Sequence, residues 1–143
     1  MKLLLFILMF CCGGVGTQLM AQDNYTVISP AGCADADDCL DALFPGCGED
    51  FDCSYMKMSQ FIFSNLKHPQ SAKDAGVEGV VKVKFTVNTE GKIADPAITA
   101  GLGHGCDEEV LRVINLMPDG WLVGESAGSK VDMVIELSIK FIP

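Results

Sequence analysis

Residues 33–53 read CADADDCLDALFPGCGEDFDC. Two cysteine pairs, Cys33/Cys39 and Cys47/Cys53, each enclose five residues, and the second pair repeats the first at an offset of fourteen. Each loop carries three acids: Asp35, Asp37 and Asp38, then Glu49, Asp50 and Asp52. Thiols and carboxylates this close could bind a metal, cycle as a redox couple, or close as disulfides beside a solvated acidic surface. Zinc ligands are usually about two to four residues apart, and redox dithiols about two. The spacing here suits neither. Asp35-x-Asp37 opens like a calcium loop, but Cys39 takes the next ligand position and no glycine follows. No metal site and no cofactor are expected. Disulfides are the expected state in an exported chain. Sequence alone does not choose among the connectivities of four cysteines; the local pairing, Cys33 with Cys39 and Cys47 with Cys53, is the simplest.

The N-terminus bears on the compartment. Lys2 precedes an unbroken apolar run from Leu3 to Cys12, followed by Gly13, Gly14, Gly16, Thr17 and Gln18. This is the layout of a signal peptide, with cleavage expected near Ala21 or Gln22. A spanning helix needs roughly 20 apolar residues, and glycines fall where its second half would be. The expected organisation is a signal peptide over 1–22, an acidic cysteine-containing leader over 23–54, and one small domain over 55–143. An uncleaved anchor in the inner membrane is the alternative to a periplasmic protein.

Removal of residues 1–22 takes Lys2 from the ten basic residues, leaving nine against nineteen acids, a net charge of −10. Eight of those acids lie in 23–53, which has no Lys or Arg. An acidic chain without a basic stripe argues against nucleic acid and against anionic membrane surfaces. No catalytic triad, phosphate loop or paired-histidine motif is present, so no enzymatic activity is expected. Cys106 is left over, and reads as a small buried residue at a helix start. His104 stands two residues away in a glycine-rich loop, and His68 reads as a packing residue.

Five elements must hold whatever site exists. SYMKMSQFIFSNLKHP places Met58, Phe61, Ile62 and Leu66 on one helical face, with Ser54 as its cap and His68-Pro69 as its end. SAKDAG adds one short turn closed by Gly76. VVKVKFTVN alternates as a half-buried strand. Thr89-Glu90-Gly91-Lys92 is a hairpin turn, and KIADPAITA is the return strand, confined to a sheet edge by Pro96. DEEVLRVINLMP is the second helix, with acids in its first turn, a Glu108–Arg112 pair, and a stripe of Val110, Val113, Ile114 and Met117. VDMVIELSIKFI alternates over its whole length as the third strand. The fold class is α+β: a three-stranded antiparallel or mixed sheet, order two–one–three, with two helices packed on one face. The helical connection between the second and third strands is expected to cross right-handedly.

That order leaves the third strand on a border with no Pro or Gly. Natural sheets usually blunt such an edge unless they use it, and the use is strand addition by an extended peptide. The candidate binding residues are Val131, Asp132, Met133, Val134, Ile135, Glu136, Leu137, Ser138 and Ile139. The competing readings are that the leader covers this border, or that it is the seam of a homodimer.

Residues 59–142 resemble the TonB C-terminal domain family. The shared features are the NLxxP step, the Ala-xx-xGly-xxGly-xVal run, Phe-x-Val-x-x-x-Gly, Asp-Glu-Glu-x-x-Arg, Met-Pro-x-x-Trp and the closing Ile-x-Phe. Trp121 is followed by Leu122-Val123-Gly124, where the family usually has a Pro before the Gly. The resemblance implies a module that grips a short extended segment, the TonB box of an outer-membrane TonB-dependent transporter, by adding it to the last strand. It also implies an energy transducer that couples proton-motive force to outer-membrane transport, if residues 3–21 stay as an anchor. Members with that task carry a long spacer that is missing here. A secreted thiol or metal protein built on the cysteine pairs is the reading from a different class.

Overall fold

The computed structural model describes the backbone of residues 25–28 and 39–40, and residues 42–142. The elements run β1 (Tyr25–Ile28), β2 (Cys39–Leu40), α1 (Phe51–Asn65), α2 (Gln70–Asp74), β3 (Gly79–Val87), β4 (Ile93–Ala100), α3 (Cys106–Asn115), β5 (Glu125–Ser126), β6 (Ser129–Lys130) and β7 (Met133–Phe141). The main sheet has the order β1-β7-β3-β4. Its three domain strands stand as expected, with the first strand in the middle, and both neighbours are antiparallel to it. Two additions come from the leader. β1 pairs with β7, and β2 joins β5 and β6 in a second small sheet. The leader is therefore not wholly irregular.

The alternation read from the sequence sets the core. Val81, Val83, Phe85 and Val87 of β3 are buried, as are Met133, Ile135, Leu137, Ile139 and Phe141 of β7. They meet Met58, Ile62 and Leu66 of α1 and Val110, Val113 and Ile114 of α3. Burial of this one continuous apolar layer is the main stabilising term of the fold.

Helix α1 begins earlier than expected. Its N-cap is Asp50, not Ser54, and the Asp50 carboxylate accepts a hydrogen bond from Cys53 N at 2.9 Å. An acid at this position satisfies a free N–H and complements the helix dipole. Ser54 lies inside the helix, buried, where its hydroxyl accepts from Phe44 N at 2.6 Å. Leu66 ends α1 in an extended conformation, two residues before the His68-Pro69 step.

Two loops fix the sheet's ends. Gly91 closes the β3–β4 turn at φ +73, and its carbonyl accepts from both Gly120 N and Trp121 N. A Cβ on Gly91 would stand 2.6 Å from Trp121 O, so both the positive φ and the close approach require glycine. The Asp107 carboxylate accepts from Leu102 N at 2.8 Å and Gly103 N at 3.1 Å, holding the connection into α3. Arg112 pairs with Glu109 at 2.6 Å, three residues away, rather than with Glu108. Glu109 wins because it also accepts from Lys67 N, while Arg112 reaches Asn65 O. This group ties the end of α1 to α3.

Candidate functional site

β7 is paired along its inner side from Met133, opposite Val87, to Phe141, opposite Gly79. On its outer side β1 pairs antiparallel, from Tyr25 opposite Phe141 to Ile28 opposite Ser138. β1 thus pairs with 138–141. Among the described residues no strand is paired with the outer side of 134–137. In an antiparallel ladder alternate residues turn their N–H and C=O groups to opposite sides. Alternate residues of this stretch therefore direct donors and acceptors outward.

The expected binding residues run from Val131 to Ile139, and at both ends of that range the structure supplies partners. Val131 and Asp132 precede the strand: Val131 N donates to Gly124 O, and Asp132 Oδ1 accepts from Thr89 N at 2.9 Å. Ser138 and Ile139 already face Ile28 and Val27. Tyr25-Thr26-Val27-Ile28 is a run of aromatic and β-branched residues suited to a strand, and it pairs with β7. Val134, Ile135, Glu136 and Leu137 have no outer strand partner among the described residues. Met133, Ile135 and Leu137 face the core, and Val134 is 58 % exposed on the other face.

Beside Ile135 of this stretch, Phe51, Ser54, Tyr55 and Met58 of α1, with Ala42 and Trp121, line a small depression of about 20 Å³ that opens to solvent. The leader builds much of its wall. Cys47 and Cys53 form a disulfide across the start of α1, as the local pairing anticipates. Lys57 Nζ donates to Gly46 O at 2.7 Å. Leu43 and Leu122 exchange two backbone hydrogen bonds of 2.9 Å. The Phe44 ring meets Trp121 edge-on with centroids 5.3 Å apart, and tilts against Phe61 at 5.9 Å.

The remaining candidates are structural. Cys39 lies in β2 opposite Ser126, and Cys33 lies outside the described residues. Cys106 is fully buried at the first residue of α3. Burial pushes its thiol pKa up, and Asp107 and Glu108 push it further the same way, which opposes the thiolate a nucleophile needs. His68 packs edge-on against Phe141 at 5.6 Å, and His104 stands exposed at φ +53. No group of three or more His, Cys, Asp or Glu among the described residues is placed to hold a metal. The leader's wall residues escaped sequence reading because Ala42-Leu43-Phe44 sits between acids. The apolar triplet before Pro45 was the available signal.

The described residues thus form a small helix-covered sheet in which β7 lies between β3 and the leader strand β1. Residues 64–143 match the family described as Gram-negative bacterial TonB protein C-terminal, and the chain belongs to that family. Over 82 residues it is 30 % identical to "Protein TonB" of Helicobacter pylori strain J99, covering 54 % of this chain and 28 % of the relative. The same identity and coverage hold for "Protein TonB" of Helicobacter pylori strain 26695. The chain thus spans under a third of the length of these relatives. No solved structure matches it significantly. No helix among the described residues is long and apolar enough to cross a membrane.

Proposed function

We propose that this chain is a periplasmic TonB-like module that binds an extended peptide by strand addition to β7. Its partner would be an outer-membrane TonB-dependent transporter, presenting a segment such as the TonB box. The observation that carries this reading is the pairing of an extended segment, β1, with the outer side of β7 at 138–141, on a border where 134–137 have no strand partner among the described residues. β1 serves as an internal example of the same act: an extended segment adding to the same strand. Membership of the TonB C-terminal family favours the same partner class.

Within the expected range Val131 to Ile139, the binding residues proposed are Val134, Ile135, Glu136 and Leu137. Backbone groups supply the affinity, and side chains on alternate faces supply selectivity. The same border would also admit a second copy of this chain. No chemistry is assigned to Cys47 and Cys53, since both are consumed in the disulfide. Whether the module is free or tethered turns on residues 1–22, which lie outside the described residues. A tethered form would be the energy transducer that the family's role suggests.

Two measurements test this. Mass mapping of the mature N-terminus separates the forms: a start near Gln22 gives the free module, and a retained Met1 gives the anchored one. Titration with candidate transporter peptides, followed by backbone amide shifts, locates the site. The expected result is movement of amides 134–137; shifts confined to other elements contradict it.

A further inference from the structure

We propose that β1 is an autoinhibitory strand: the leader segment Tyr25–Ile28 occupies part of the place that an added peptide takes on β7, and full binding requires that it leave. This rests on strand addition to β7 and says how that addition is regulated. Tyr25, Thr26, Val27 and Ile28 stand opposite Phe141, Lys140, Ile139 and Ser138. The outer pairing positions at that end of β7 are thus taken by the chain itself.

The length of the remaining border makes the two segments compete. Val134 to Leu137 are four residues without an outer strand partner among the described residues. Ahead of the strand the chain is fixed: Val131 N donates to Gly124 O, and Asp132 Oδ1 accepts from Thr89 N at 2.9 Å. At the other end stands β1. Strands usually run to about five or six residues, so a peptide laid on 134–137 gains its remaining pairs by growing toward Ser138. There it meets Ile28, the first residue it must displace.

Two features make β1 a displaceable cover rather than a permanent strand. It pairs with β7 over four residues, whereas β3 pairs with β7 over nine, and a short ladder at a sheet border opens at lower cost than the sheet itself. It is also held close. Ten residues, 29–38, separate it from Cys39, which pairs with Ser126. Beyond β2, the Leu43–Leu122 hydrogen bonds and the Cys47–Cys53 disulfide anchor the leader to the domain. On so short a connection, a displaced β1 meets β7 at an effective concentration on the order of millimolar. Weakly pairing segments are therefore refused, and β1 returns when a bound segment leaves.

The probe is an acetylated and amidated octapeptide, Lys-Thr-Val-Thr-Val-Thr-Val-Lys, its basic ends suited to a chain of net charge −9. Backbone amide shifts of the full chain report where it binds. Saturating probe should move amides 134–137. It should also bring amides 25–28 to the positions they have in a free peptide with the sequence of residues 23–30. This readout uses the unmodified chain and does not depend on a variant folding. Replacing Thr26 and Val27 together by Pro, which unpairs β1, should tighten probe binding about five-fold, because a cover closed about four-fifths of the time weakens the apparent affinity by that factor. The 23–30 peptide, added in trans to the Pro chain, should reverse that gain. Amides 25–28 that stay unmoved at saturation, with equal affinity in the two chains, would overturn autoinhibition and leave strand addition standing. Amides 134–137 that move in neither chain would overturn strand addition, and autoinhibition with it. Binding by the Pro chain alone would support both.

Discussion

The two borders of the sheet are finished in different ways. β4 is irregular: its register against β3 shifts twice, Pro96 interrupts its donors, and Asp95 sits at φ +49. These devices blunt an edge permanently. β7 is regular for nine residues, carries no Pro or Gly, and is covered over four residues by β1. One border is closed in its own sequence. The other is covered at 138–141 by a separate segment of the chain. A regular strand keeps its capacity to pair along its length, whereas a strand broken by Pro and register shifts does not.

The largest expected effect tests which border strand is structurally central. Leu137 is fully buried on β7, whereas Ile98 of β4 is only partly buried. Leu137→Ala should cost about 2–5 kcal/mol, and Ile98→Ala about 1 kcal/mol, in urea denaturation. Equal costs would make the two borders equivalent. Next comes the disulfide across the start of α1. Paired Cys47→Ser and Cys53→Ser substitutions open a loop of short span, for which chain entropy gives about 2 kcal/mol. Loss of order should be confined to amides 42–58, with β4 unaffected.

A smaller effect sharpens the difference between cover and sheet. Adjacent residues of β1 point their N–H groups to opposite sides, so replacing Thr26 and Val27 together by Pro removes at least one bond to β7. Stability should fall by only about 1 kcal/mol. Amides 138–141 should exchange faster, and added peptides should gain access to them. The smallest effect is electrostatic. The Glu109 carboxyl is held below its usual range, first by the hydrogen bond from Arg112 and also by Lys67 N, against an opposing push from burial. A carboxylate with a depressed folded pKa contributes stability that is present above its unfolded pKa, near ~4.3, and is lost as pH falls through the folded value. Thermal stability should therefore decline below that range, and the decline should flatten in Glu109→Gln. The loosened contact lies between α1 and α3.

Much of this was legible in the sequence, for identifiable reasons. The alternation of Val81 to Val87 and of Met133 to Phe141 reports burial directly, because strand side chains have a period of two. Pro96 states that β4 is an edge, because it has no N–H to give. The Phe-x-Val-x-x-x-Gly and Met-Pro-x-x-Trp features fall together in space where Gly91 receives Trp121. The leader was less legible. Its acids mask the short runs that pair, and Tyr25–Ile28 becomes a strand only because β7 offers a free side. That is a tertiary fact, and a period-two pattern over four residues does not announce it. The start of α1 was misplaced for a similar reason. Ser54 and Asp50 are both competent caps, and the choice went to Asp50 once Ser54 was needed to satisfy Phe44 N.

Amide hydrogen exchange along β7, in the free chain and with a bound strand-forming peptide, tests the central claim most directly. In the free chain the outward amides of 134–137 should exchange rapidly while those of 138–141 are protected, and peptide should slow the first group to the level of the second. Protection across all of 134–141 before any peptide is added would contradict the account.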